Sequence, residues 1–212
     1  MKKTLATLLL CATLCAAGQK LPIDYKTALS FNPSVLVGTD YTAMVGIEHR
    51  ISENTGLVLD AGYLFYSSYF EIERVRNTSG FSLRPGIRRY FGRRLKEYLQ
   101  VQAYYKHANY FIYDWLGKEC VNEVPSYEQL KEFTYRKQTL SFNLMAGELF
   151  QFSDRLAGEL YVGIGIKIKR QGPTESNACY RNQANDVVFN MYRERSVGPN
   201  IPVGFKLLYL LQ

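Results

Sequence analysis

The feature that most constrains the fold is a two-residue period in hydrophobicity. Between Leu156 and Arg170, the even positions are nearly all aliphatic, while the odd positions are mostly glycine, glutamate, tyrosine or lysine. Side chains alternate between the two faces of a β-strand, so this period predicts a strand with one apolar face. The same period recurs in seven further segments, near residues 25–37, 41–47, 57–65, 81–88, 99–106, 140–146 and 201–211.

The connections between these segments alternate in length from the second strand onward. Short turns are predicted at 52–54, 92–94 and 153–154, and longer loops at about 67–79, 113–134 and 171–198. Outer-membrane barrels have an even number of strands, short periplasmic turns and longer external loops. The pattern therefore predicts an all-β, eight-stranded, antiparallel, up-and-down transmembrane β-barrel with both termini on the periplasmic side.

The amino-terminal residues have the composition of a secretory signal peptide. The basic, apolar and small-residue parts of such a signal lie at residues 2–3, 5–14 and 16–18. We expect residues 1–18 to be cleaved and residues 19–212 to form the barrel domain. No later stretch reaches about 18 apolar residues, which a membrane helix requires. The expected location is the outer membrane of a Gram-negative bacterium.

The opposite face of the alternating segments is charged. Seven basic and three acidic residues lie on it: Glu48, Arg50, Asp60, Arg84, Arg88, Lys106, Glu159, Lys167, Lys169 and Lys206. An eight-stranded barrel is just wide enough for its own side chains, and an isolated buried charge is expensive. A solid network of ion pairs in the lumen is therefore predicted. The basic excess leaves open a narrow, anion-preferring pore.

Ionisable residues on the aliphatic face are few and lie near strand ends, as expected if that face meets lipid: His49, Arg89, Glu148 and Arg170. A soluble, lipocalin-like periplasmic ligand binder is the alternative, with the aliphatic face enclosed and the charged face in solvent. Pro85 falls inside a predicted strand, so a bulge is expected at Pro85–Gly86.

Two of the four cysteines lie in the signal peptide, and Cys120 and Cys179 remain. An even pair in an exported protein predicts one disulfide, here joining the last two long loops; two free thiols are the alternative. These loops also carry aromatic and arginine side chains that serve as binding anchors or as a packed rim. The candidates for contact are Trp115, Tyr127, Tyr180, Arg181, Phe189 and Tyr192.

Two stretches resemble small outer-membrane barrels of Bacteroidota. Phe31-Asn32-Pro33 with Gly38 and residues 46–50 is similar to their opening hairpin, and residues 80–91 are similar to their fourth strand. The resemblance implies the fold and the outer-membrane location, and it implies no activity.

Catalysis is not predicted. His107-Ala108-Asn109 resembles the His-x-Ser-Asn motif of outer-membrane lipid A deacylases, but Asn109 stands where the nucleophilic serine is needed. An outer-leaflet lipid-modifying enzyme is therefore a distant alternative, and no metal or cofactor motif is present. The expected function is non-enzymatic, either structural or in surface binding, by a monomer. Its partners would be outer-membrane lipid and an extracellular ligand or protein, and not nucleic acid, because the chain has no lysine- or arginine-rich tract.

Overall fold

A computed structural model describes residues 25–37, 39–68, 74–92, 96–121, 124–180 and 195–211. The predicted signal peptide lies outside these residues, as do Arg181, Phe189 and Tyr192. The described chain is all-β, with a single 3-10 helix at Pro33–Leu36. The strands are β1 Thr27–Phe31, β2 Asp40–Ser52, β3 Thr55–Ser67, β4 Val75–Phe91, β5 Glu97–Lys118, β6 Tyr127–Gln151, β7 Leu156–Pro173, β8 Ala178–Cys179, β9 Arg195–Asn200 and β10 Val203–Leu211. No helix in the described ranges is long and apolar enough to cross a membrane.

The strands form one antiparallel sheet that closes on itself. Each strand from β1 to β7 pairs with the next, and β10 pairs with both β7 and β1. Strand β9 also pairs with β7, so β9 and β10 share one position that is interrupted at Ile201-Pro202. The result is a ring of eight strand positions, which confirms the predicted all-β, antiparallel, up-and-down arrangement.

The two ends of the ring differ in the length of their connections. At one end, which we call the turn end, successive strands are connected by residues 53–54, 92–96 and 152–155. The longer connections lie at the other end, here the loop end. Thr27 pairs with Leu211, so both ends of the described chain lie at the turn end.

The predicted loop at 113–134 is wrong, because most of it is strand. β5 and β6 pair from Glu97–Glu148 to Lys118–Tyr127, leaving only 119–126 as their connection. The pairing of β5 with β4 ends at Ile112, and the pairing of β6 with β7 ends at Tyr135. We call this part, residues 113–118 and 127–134, the projecting hairpin. The predicted loop at 171–198 is likewise shortened, by the end of β7, by β8 and by β9.

Two proline positions also differ from expectation. The first strand ends at Phe31, and Pro33 begins the 3-10 helix, where its missing N–H is tolerated. Pro85 causes no bulge: β4 keeps one register with β3 through Pro85 and the same register with β5 on either side of it. Around Pro85, the pairing with β5 is interrupted at residues 84–85, because the ladder loses one donor there without an inserted residue.

The aliphatic face of the sheet points outward. Ile164, Val101 and Phe142 are 68%, 63% and 56% exposed, whereas Arg88 and Lys206 on the inner face are 0% and 1% exposed. A lipocalin-like arrangement would enclose the aliphatic face, and the structure has the opposite sidedness.

Candidate functional site

The interior near the turn end is organised around one buried arginine. Arg88 donates from Nη1 to Oε2 of Glu48 at 2.8 Å and from Nη2 to Oε1 of Glu159 at 2.9 Å. Its Nε and Nη2 donate to Gln100 Oε1, and its guanidinium lies 3.8 Å from the ring centroid of Tyr98. A buried cation flanked by two carboxylates on different strands ties β2, β4 and β7 together across the interior.

Tyrosines complete this cluster. Tyr25 and Tyr90 both donate to Oε1 of Glu48, and Tyr98 donates to Glu159. The guanidinium of Arg50 lies between the rings of Tyr25 and Tyr90, at 4.1 and 4.2 Å from their centroids. Together with buried apolar neighbours, these groups fill the turn end, and we call the assembly the turn-end plug. Its apolar members are Ala28, Met145, Leu149, Ala157, Tyr161, Leu208 and Leu210.

Two further carboxylates hold lysines in the interior. Lys206 donates to Asp60 Oδ2 at 2.8 Å, and both residues are almost fully buried. Nearer the loop end, Asp40 Oδ2 accepts from Lys106 at 2.9 Å and from Lys137 at 3.2 Å. One carboxylate thus faces two lysines among the described residues.

A second, apolar plug fills the loop end. Its buried members are Leu64, Ala108, Tyr110, Ile112, Leu116, Phe133, Tyr135 and Ala178, and Val75 and Tyr180 pack against them. The inner face of the projecting hairpin supplies part of this set. β8 pairs with Gly117 and Lys118 and so covers these apolar side chains. We call this assembly the loop-end plug.

Polar contacts fasten the segment that covers the loop-end plug. Tyr180 donates to Asp114 Oδ2 at 2.7 Å, and Arg74 pairs with the same oxygen at 2.8 Å. Burial, reinforced by the carboxylate of Asp114, raises the pKa of the Tyr180 phenol. The Sγ atoms of Cys120 and Cys179 lie at disulfide distance, 2.07 Å. The predicted pairing therefore agrees with the geometry, and it joins the hairpin tip to β8.

A cavity of ≈ 570 Å³ lies between the two plugs. Arg84 and Tyr104 reach it from β4 and β5, and Asn143 reaches it from β6. The guanidinium of Arg84 lies 4.7 Å from the ring centroid of Tyr104. Within the described residues, Arg84 has no ion-pair partner, whereas the cavity lysines 106 and 206 are held by carboxylates.

The ten predicted lumen charges all lie on the inner face and are at least partly buried. Four of them belong to the turn-end plug: Glu48, Arg50, Arg88 and Glu159. Asp60 and Lys206 form a pair, Lys106 binds Asp40, and Arg84 lines the cavity. Lys167 and Lys169 lie on the inner face of β7, towards the loop end. Asp40 and Lys137 were missed, and for Lys137 a signal existed: the alternation of β6 continues towards the loop end from Thr139.

The described loop candidates divide into two groups. Trp115 and Tyr127 are 56% and 53% exposed on the projecting hairpin, as expected for contact residues. Tyr180 is different, because its ring packs against Phe133 and Tyr135 in the loop-end plug. This packing is what the packed-rim alternative expects, and a contact role for Tyr180 stays a prediction. Two exposed aromatics were missed: Phe111 and Tyr113 lie on the same outer face as Trp115.

His107 faces outward and not into the cavity. Its ring stacks on Phe81 at 5.8 Å, and Nδ1 lies 3.3 Å from the Gln138 amide nitrogen. Its described contacts include no hydroxyl and no carboxylate. Among the described residues, no group of three or more histidine, cysteine, aspartate or glutamate side chains is placed to hold a metal ion.

Comparison with known proteins gives no relative for this chain. No protein-family model, no curated protein sequence and no solved structure matches it. The resemblance to Bacteroidota barrels therefore stays a prediction, and proposals about function depend on the geometry.

Proposed function

We propose that the chain is a non-enzymatic outer-membrane β-barrel protein with a structural or surface-binding role. The observation that carries this proposal is the sidedness of the ring. Its outer face is aliphatic along most of the sheet, while arginine, lysine and carboxylate side chains pair inside. A protein in water rarely exposes one continuous apolar band, whereas a bilayer requires it.

The positions of outward charges support the same proposal. His49 lies three residues before the end of β2, and Arg89 lies two residues before the end of β4. Arg170 lies near the loop end of β7. A cation facing lipid costs about 2–4 kcal/mol at the midplane and almost nothing at the interface. These positions are the ones at which a bilayer tolerates charge.

The two plugs favour a closed interior over the alternative of a narrow anion-preferring pore. A conducting path along the ring would have to pass the buried Arg88 cluster at one end and the apolar set around Ile112 and Leu116 at the other. A lumen closed by a plug at each end suits a structural barrel that presents its projecting hairpin outside. Tyr113 and Trp115 on that hairpin, with Phe111 just below it, are aromatic anchors for an extracellular ligand or protein.

Heat-dependent gel mobility tests the proposal directly. A washed outer-membrane fraction should contain the protein, and unheated samples should migrate faster than boiled ones because the closed ring resists detergent. A protein absent from that fraction, soluble without detergent and showing no mobility shift would overturn the proposal. Planar bilayers should remain electrically silent at high protein load, and discrete anion-selective steps would favour the pore instead.

A further inference from the structure

The wall of the ring has a gap beside the cavity. β1 pairs with β2 and β10 only as far as Phe31, opposite Val45 and Leu207. Beyond Phe31, the N–H of Asn32 donates to Met44 O. Among the described residues, no further backbone hydrogen bond joins residues 33–37 to β2 or β10. We call this gap, between Asp40–Met44 on one side and Arg195–Lys206 on the other, the window. The 3-10 helix lies in it.

The lining of the cavity between the plugs extends to exposed residues at the window. Its lining includes Val37 beside the helix and Ile201 and Val203 on the opposite border. These three side chains are 82%, 71% and 72% exposed, so they form an apolar mouth on the outside of the ring. Both borders of the window and the helix thus contribute to the lining of a single cavity.

The mouth lies at the level of the apolar band. Val203 pairs with Val162 and Asn200 pairs with Gly165, both in the middle of the aliphatic run of β7. If the ring spans a membrane as proposed above, the mouth opens towards hydrocarbon and not towards water. An occupant arriving by this route would have an apolar chain.

The far end of the cavity is cationic. Arg84 comes from β4, three strand positions from β1, and it is the cavity-lining cation that no described carboxylate neutralises. A guanidinium presents paired donors that match a carboxylate or a phosphate, and the ring of Tyr104 beneath it limits its orientation. The amide of Asn143 adds a polar group on the same lining. The volume of ≈ 570 Å³ is within the range of about 300–1,000 Å³ that holds one small molecule.

We propose that this cavity binds one single-chain anionic amphiphile, a fatty acid, through the window. The carboxylate pairs with Arg84, and the chain leaves between Val37 and Ile201 into the bilayer. This inference rests on the proposed membrane location, because a water-facing mouth would give the chain no hydrocarbon to enter. It is a binding role, and no bond is made or broken.

Native mass spectrometry of the purified protein in non-ionic detergent tests the proposal with three probes. Palmitate has both charge and chain, hexadecanol has the chain only, and acetate has the charge only. We expect one palmitate per chain and much weaker adducts with the other two. Equal binding of hexadecanol would show that Arg84 plays no part, and equal binding of acetate would indicate a free-anion site. Either result would overturn the proposal.

Substitutions locate the site. Arg84→Gln should weaken palmitate binding by at least about tenfold, or about 1.4 kcal/mol, and Arg84→Lys should restore part of it. Arg136→Gln removes an exposed cation from the outer face of β6 and should leave binding unchanged. A palmitate with a diazirine in the middle of its chain should crosslink to residues 35–37 or 200–203. Crosslinks confined to the projecting hairpin would overturn the lateral route.

The same samples separate the two proposals. The heat-dependent mobility shift is recorded for the wild type and for each variant. A shift without palmitate binding would reject the cavity proposal and leave the outer-membrane barrel standing. A wild type without the shift would reject the barrel itself, and the lateral route with it.

Discussion

Arg88 and Glu159 meet across the interior of the ring from strands that are not neighbours. Their Nη2 and Oε1 atoms lie 2.9 Å apart, and the side chains are 0% and 1% exposed. Glu48 faces the other branch of the same guanidinium. A buried pair of this kind matters most when one partner is removed, because the remaining charge stays buried without compensation.

Arg88→Met should therefore destabilise the protein strongly. Two buried carboxylates would lose their counter-ion, and we expect the free energy of unfolding to fall by about 3–5 kcal/mol. This free energy is measured by urea titration, with the faster-migrating band of unheated samples as the signal for folded protein. Arg89→Met is the matched control: Arg89 is exposed and contacts only the Thr55 hydroxyl, at 3.3 Å, among its described partners, so the change should stay within about 0.5 kcal/mol. Equal stability of both variants would contradict this account of the core.

The outer apolar face offers a test of depth. Ile164→Lys puts a cation in the middle of the β7 face, where a bilayer would oppose it by about 2–4 kcal/mol. Leu130→Lys makes the same change on the projecting hairpin, beyond the last pairing of the neighbouring strands. Folding yield in lipid vesicles should drop for the first variant and not for the second. Similar yields would argue against lipid around β7.

Reduction of the disulfide should loosen the loop end and leave the ring intact. Cys120 and Cys179 are 59 residues apart, and the chain-entropy model assigns about 4 kcal/mol to a loop of this length. In the double variant Cys120→Ser/Cys179→Ser, proteases should cut near the hairpin tip, while the heat-dependent shift persists. Reductant should increase cleavage near the hairpin tip in the wild type only. Two titratable thiols in unreduced protein would exclude the bond.

Tyr180 should ionise only above the ordinary tyrosine range. Its pKa is raised by burial and by Asp114 in the folded state alone, so the loop end loses stability as the pH rises above about 10. The difference in tyrosinate absorbance between wild type and Tyr180→Phe isolates this residue. It should be absent at pH 10 in folded protein and present in urea. A signal at pH 10 in both states would show that the phenol is not buried.

Much of the fold follows from local alternation in the sequence. Where aliphatic residues face outward, as in β7 and β3, the sequence predicts the strand, the face that points outward and the short turn beside the strand. The projecting hairpin was missed because β5 is apolar on both faces there: Leu116 lies on the inner face, and Tyr113 and Trp115 lie on the outer face. The two-residue period in hydrophobicity is therefore weak in this part of β5.

The candidate site was predictable only in part. The inner charges were identified from alternation, but their pairing depends on which strands face one another across the ring. Arg88 reaches Glu159, which is 71 residues away, and no local pattern specifies that contact. The window was unpredictable for a similar reason. It results from a strand that stops at Phe31, between neighbours contributed by distant parts of the chain.

The pairing of β1 with β10 has a consequence for assembly. Thr27 and Leu211 are partners although 184 positions separate them, so the contact that completes the sheet is also the one most distant in sequence. Contacts of long sequence separation form slowly, and a sheet that lacks its final strand presents unpaired N–H and C=O groups along both edges. Any other extended chain, including another copy, is then a competing partner. The folding chain therefore depends on being kept apart from its own copies until the last strand arrives.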